Sequence, residues 1–194
     1  MKKNINFILT AACLAFGLYS CQKTSINELT QPNSPLQSKT GKSGIGTGRG
    51  SGDECAPTTV SLIAGQNMNA GSVTVTNDLN YVYVTYSTTG NWVLTQTHLY
   101  VGNCSLIPVN NSGNPRIGQF PYSSAHANLN TYTYQIPIAV LSGCGCIAAH
   151  AVVKKLNGSG QVIQTETAWG NGTQITPGGS WAMKFSYCLC NLPS

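Results

Sequence analysis

The sequence predicts an all-β fold, an antiparallel β-sandwich of about eight strands, disulfide-stabilised and preceded by a disordered N-terminal tether. Three observations carry that expectation. Beyond residue 54 the chain falls into short runs rich in Val, Thr, Tyr and Ile, broken by Gly, Asn and Ser turns. Charged residues make up only 8% of the chain, whereas Thr, Ser, Asn, Gly and Tyr abound, a palette for strands, tight turns and a hydroxyl-rich surface. The six cysteines of that region, Cys55, Cys104, Cys144, Cys146, Cys188 and Cys190, are an even number, as a disulfide framework requires.

The chain opens on Lys2 and Lys3, an apolar run from Ile5 to Leu18, and then Leu18-Tyr19-Ser20-Cys21. A basic start, a short apolar run and a small residue before the cut form a secretory signal, here residues 1–20. A cysteine directly after the small residue resembles a bacterial lipobox. Cys21 is then the acylated N-terminus, with palmitate-type chains anchoring the protein in the outer membrane of the cell envelope. No second stretch has the apolar length of a membrane span, so attachment to the membrane rests on the lipid.

Residues 21–53 are rich in Ser, Thr, Gly, Asn and Lys, end in a glycine run, and show no apolar periodicity. They read as a flexible tether spanning about 30 Å root-mean-square on Gly-rich scaling.

Residues 54–194 are the expected β-sandwich domain, with strands at Thr58–Ala64, Ser72–Asn77, Tyr81–Thr88, Trp92–Val101, Thr131–Ile138, Cys146–Leu156, Gln161–Trp169 and Trp181–Cys190. Thr89-Gly90-Asn91 and Asn157-Gly158-Ser159-Gly160 mark turns, and no helical segment is expected. The irregular stretch from Gly102 to Asn130, with Pro108, Pro115 and Pro121, is the first place to seek a binding surface. Asn103, Asn110, Asn157 and Asn171 stand in Asn-x-Ser/Thr triplets, read here as turn chemistry rather than glycosylation.

The whole-chain charge of +5 does not describe this domain. From Glu54 onward four cations (Arg116, Lys154, Lys155, Lys184) meet three anions (Glu54, Asp78, Glu166), a net charge of +1. A nucleic-acid-binding face would need a basic patch, so nucleic acid is not an expected partner.

Residues two apart on a strand share a face, so Cys144/Cys146 and Cys188/Cys190 each present two sulfurs on one side. Antiparallel pairing as Cys144–Cys190 and Cys146–Cys188 uses one register. That register also sets Ile147 opposite Tyr187, Ala149 opposite Phe185, Ala151 opposite Met183 and Val153 opposite Trp181, giving one apolar face. Cys55–Cys104 follows by elimination. A four-thiolate zinc site competes poorly, because such sites space their ligands Cys-x2-4-Cys and an exported domain oxidises its thiols.

Three histidines and one strand carboxylate are the candidate ligand residues: His98 and His150 in strands, His126 in the long loop, and Glu166. A strand histidine among apolar neighbours is most often structural. Yet a His/Glu set is also the ligand chemistry of a divalent metal such as zinc. A hairpin register pairing Glu166 with His150 would join them, and Lys184 beside His150 would disfavour imidazolium. A serine nucleophile has no elbow motif, a paired-carboxylate hydrolase has too few acids, and the glycine run at 44–52 lacks a phosphate loop's Lys-Ser/Thr ending. Aromatic residues offer a sugar-stacking platform, from Trp92, Trp169, Tyr100, Tyr122, Tyr132 and Tyr134, with Trp181 assigned to the core by the cysteine register.

Four segments, Thr97–Gly102, Asn114-Pro115 with Gly118–Tyr122, Ile147–Val153 and Glu166–Gly170, resemble a set in secreted or lipid-anchored proteins of Bacteroidetes-like bacteria. The resemblance spans most of Ala64 to Tyr187 and implies a shared β-domain, with no activity or site residues attached. In that group, acidic residues soon after the lipidated cysteine accompany surface export. Gln22-Lys23-Thr24-Ser25 departs from that pattern, leaving the periplasmic and surface faces both open. The expectation is a lipid-anchored binding or interaction domain for a carbohydrate or an envelope protein; the alternative is a metal-dependent enzyme using His98, His126, His150 and Glu166.

Overall fold

A computed structural model describes residues 56–190. The signal, Cys21, the tether and Cys55 lie outside the described residues. Ten strands follow in chain order: β1 Thr58–Ala64, β2 Met68–Asn77, β3 Tyr81–Thr88, β4 Trp92–Gly102, β5 Tyr122–Leu129, β6 Thr131–Pro137, β7 Cys144–Leu156, β8 Val162–Gly170, β9 Thr173–Gln174 and β10 Met183–Cys188. Three short 3-10 turns, at Cys104–Leu106, Ile117–Gln119 and Ile138–Val140, are the only helical segments among the described residues. None is long and apolar enough to cross a membrane.

The strands join into one antiparallel sheet in the order β5-β4-β7-β8-β1-β2-β3-β6. Its two edges come together through side chains: the His126 ring of β5 lies 4.4 Å from Tyr132 of β6, and Tyr122 lies 6.2 Å from Tyr134. The sheet is therefore curled into a nearly closed, barrel-like form, which protects both edges. Curling needs close backbone approach at one corner. Gly71 has φ +149°, and a Cβ there would stand 1.9 Å from the Ser87 carbonyl oxygen.

Alternation along each strand puts one set of side chains inside the curl. Leu62, Val73, Val75, Val82, Val84, Leu94, Leu99, Ile136 and Ile147 are fully or almost fully buried there. Ala149, Ala151 and Ala168, facing large neighbours, leave room for Tyr86, Phe185 and Tyr187. A second apolar layer covers the outer face of β4, β7 and β8. Tyr100, Cys146, Ala148 and Trp169 project outward, and the segments before β5 and β10 fold over them with Ile107, Phe120, Ile175 and Ala182.

The region from Gly102 to Asn130 is less irregular than expected, because it contains β5. Tyr122-Ser-Ser-Ala-His-Ala-Asn-Leu129 has few β-branched residues and follows Pro121, so it carries little strand signal of its own. Pairing with β4, His98 opposite Ser123 and Leu99 opposite Tyr122, makes it a strand. The turn reading of the Asn triplets agrees with the geometry at three of them, Asn103 Oδ1 accepting from the Ser105 amide. Asn110 Oδ1 accepts from the Ser112 and Asn114 amides, and Asn157 Oδ1 from those of Ser159 and Gln161.

The cysteine pairing differs from expectation. The disulfides are Cys104–Cys146 and Cys144–Cys188, and Cys190 is disulfide-bonded as well. Cys144–Cys190, Cys146–Cys188 and Cys55–Cys104 are thereby excluded. The register is the reason: β10 lies two residues from its expected place, with Phe185 opposite Ile147 and Cys188 opposite Cys144. A two-residue slip preserves the face, so Ile147, Ala149, Phe185 and Tyr187 still point inward although every pairing moves. Cys146 meets Cys104 because Gly102 lies opposite Cys146 and the turn at Cys104–Leu106 brings the chain back over β7. Between the cysteines only glycine fits, since a Cβ on Gly145 would stand 2.7 Å from the Gly102 carbonyl oxygen and 2.4 Å from Leu141 Cδ2.

Candidate functional site

The four candidate ligand residues separate into three places. His98 and His150 meet on the outer face of the sheet, directly opposite one another across β4 and β7. Their Nδ1 atoms are 3.3 Å apart, a hydrogen bond in which one nitrogen donates and the other accepts. His126 points to the inner face, where its Nε2 lies 2.8 Å from Thr97 Oγ1, itself 2.7 Å from the Tyr134 hydroxyl. Glu166 sits opposite Val153, also on the inner-face parity, and accepts from Gln164 Nε2 at 3.0 Å.

The pairing of Glu166 with His150 fails by three residues, because Trp169 takes that position. An odd slip moves a side chain to the other face. Among the described residues no group of three or more His, Cys, Asp or Glu side chains converges as a metal site. Two imidazoles fall short of the three protein ligands a catalytic zinc takes.

His150 is 2% exposed, and its pKa is lowered to about 3, first by burial and then by the charge His98 would carry. Lys184 is not the cause; its ammonium donates to the Ile175 carbonyl. Burial also lowers the pKa values of His98 and His126. The histidines are therefore neutral near pH 7.

Beside His150 lies a cavity of about 200 Å³. Its floor is His150 with Trp169, whose ring meets the imidazole edge-on at 4.9 Å between centroids. One wall is Asn114, Pro115 and Ile117 from the segment before β5; the other is Ser180 and Trp181 from the segment before β10. The walls are tied by the Ser180 amide donating to Asn114 Oδ1 at 3.1 Å. Trp181, assigned to the core by the cysteine register, is instead half-buried at this rim, because β10 begins only at Met183. The other aromatic candidates are spread elsewhere. Tyr122, Tyr132 and Tyr134 close the β5–β6 seam, Tyr100 packs on Phe120, and Trp92 lies under the Lys155 ammonium.

Half of this site was legible, since Asn114-Pro115 lies in the stretch singled out for binding. Ser180 and Trp181 were missed, and no local signal marks them: they reach the site only through the turn that precedes β10. Comparison with protein-family models, with curated proteins and with solved structures finds no match to this chain.

Proposed function

We propose that this is a lipid-anchored cell-envelope protein whose β-domain binds a carbohydrate in the cavity beside His150. The observation that carries the reading is the wall composition: two tryptophans, a neutral imidazole, and the Asn114 and Ser180 polar groups around one small concavity. Binding sites are commonly concave, largely apolar and lined with a few placed polar groups. A sugar ring presents both matching surfaces, apolar C–H faces and hydroxyl edges.

Export is supported by the disulfides, which persist in oxidising compartments, and by the lipobox-like Cys21. The resemblance to secreted or lipid-anchored proteins of Bacteroidetes-like bacteria belongs to the same reading. So does the sandwich architecture: β1-β2-β3-β6 and β5-β4-β7-β8 are read as the two facing halves of the curled sheet. Its support is the Tyr86 hydroxyl of β3, which donates across the core to the His98 carbonyl of β4.

Two measurements test the proposal. Retention of the oxidised domain on immobilised polysaccharides should be lost in Trp181→Ala; retention that survives the substitution places binding elsewhere. Cys21→Ser should release the full-length protein from the membrane fraction, and a variant still processed and membrane-bound refutes the anchor.

A further inference from the structure

Resting on that reading, we infer that the cavity selects an uncharged, hydroxyl-bearing sugar ring, and that His150 reads it through a nitrogen whose proton is set by His98. His150 Nδ1 is committed to His98, and its Nε2 has no hydrogen-bond partner among the described residues. No buried side-chain nitrogen or oxygen among those residues is sealed without a partner, so Nε2 opens onto the cavity that its ring lines. A ring that lines a concavity with one nitrogen open to it and the other fixed by a neighbour presents a single oriented hydrogen-bonding atom to whatever enters.

The pair shares its protons in a defined way. When His150 carries the Nδ1 proton, its Nε2 is a bare acceptor and His98 holds its own proton on Nε2. In the other state that Nδ1 proton has crossed to His98 Nδ1. His98 has released its Nε2 proton to solvent, which its 8% exposure permits, and solvent has returned one to His150 Nε2 through the open cavity, leaving hydroxyls and waters there neutral. Two protons are held in each state and no charge is created. A hydroxyl donates to the bare Nε2 of the first state or accepts from the protonated Nε2 of the second, and a sugar ring held in one pose fixes which state is kept. His98 is thus a positioning residue, acting on the ligand only through His150.

The absence of charge sets the class. None of the cavity-lining residues is charged, and the nearby Lys184 ammonium is engaged by the Ile175 carbonyl. A carboxylate or ammonium entering would lose its hydration with no opposite charge to replace it. The volume of about 200 Å³ falls below the roughly 300 Å³ at which drug-sized pockets begin, so one ring enters and the rest of a glycan stays outside.

The test uses the oxidised domain with the methyl pyranosides of glucose, galactose and mannose, and with methyl glucuronide. Tryptophan fluorescence reports occupancy, and long-range ¹H–¹⁵N correlations report the protonation of each imidazole nitrogen. At least one neutral pyranoside should quench or shift the tryptophan signal and drive both His98 and His150 to a single tautomer. The glucuronide should bind at least tenfold more weakly. His98→Gln should alter the His150 Nε2 shift and weaken the neutral sugar, with circular dichroism confirming the fold; the tautomer readout on the unsubstituted protein stands if that variant does not fold. A glucuronide that binds as tightly, or a neutral sugar that saturates the tryptophan signal while both imidazoles stay unmoved, overturns the inference and leaves the carbohydrate site. If no pyranoside or glucuronide perturbs the tryptophans, both fall.

Discussion

Acid should destabilise this fold before its carboxylates titrate, and His150 should be the principal reason. In the unfolded chain an imidazole titrates near 6.5, whereas buried His150 titrates at about 3. Between those values the unfolded state binds a proton that the folded state refuses, so stability rises with pH across the window and is fully present above 6.5. At pH 4.5 the unfolded-state value lies two units away, and at about 1.4 kcal/mol per unit the loss is about 3 kcal/mol. His98 and His126, also lowered by burial, act in the same direction. Urea unfolding of the oxidised domain at half-unit steps from pH 7.5 to 4.5 reads this directly. His150→Gln should reduce the proton uptake on unfolding by about one across the window while retaining the contributions of His98 and His126. An unchanged slope in that variant would show that His150 is not the titrating group and refute the burial argument.

Other expectations are as direct. Cys144→Ser with Cys188→Ser opens a loop of 44 residues and should cost about 4 kcal/mol by loop entropy, read by urea unfolding; non-reducing peptide mapping should recover Cys104–Cys146 and Cys144–Cys188 as linked peptides. Gly145→Ala forces a methyl against the Gly102 carbonyl and Leu141 and should cost about 1–3 kcal/mol, whereas Gly158→Ala, with open space at its Cβ, should change stability by less than about 1 kcal/mol. Trp181→Ala, at a half-buried rim position, should lower the melting temperature only slightly while abolishing polysaccharide retention; a large loss of stability would assign Trp181 to the core instead.

Local pattern carried the strands whose residues insist on being strands. β1, β3 and β4 begin at their expected residues, and β1 and β3 end there too, because Val, Thr and Tyr alternate between clear Gly and Asn turns. β2 extends four residues further upstream than expected, since Met68–Gly71 pairs with the end of β1 across the bulge at Leu62/Ile63. β5 and β9 each carry only one such residue, Tyr122 and Thr173, and exist by pairing. The apolar faces of β7 and β10 were legible because periodicity two is insensitive to an even slip. The disulfides were not, because they depend on the absolute register.

The amino-acid sequence by itself determined that the chain is all-β, which face of β7 and of the end of β10 turns inward, and which side chains are scarce enough to matter. Those are properties of neighbours along the chain, set by alternation, turn chemistry and composition. The tertiary structure decided what depends on neighbours across the sheet: which cysteines bond, which histidines meet, and where Trp181 lies. A register offset of two residues changed every disulfide, and one of three moved Trp169 rather than Glu166 beside His150. Such offsets are selected by the fit of the whole sheet around its core, and no short stretch of sequence contains that information.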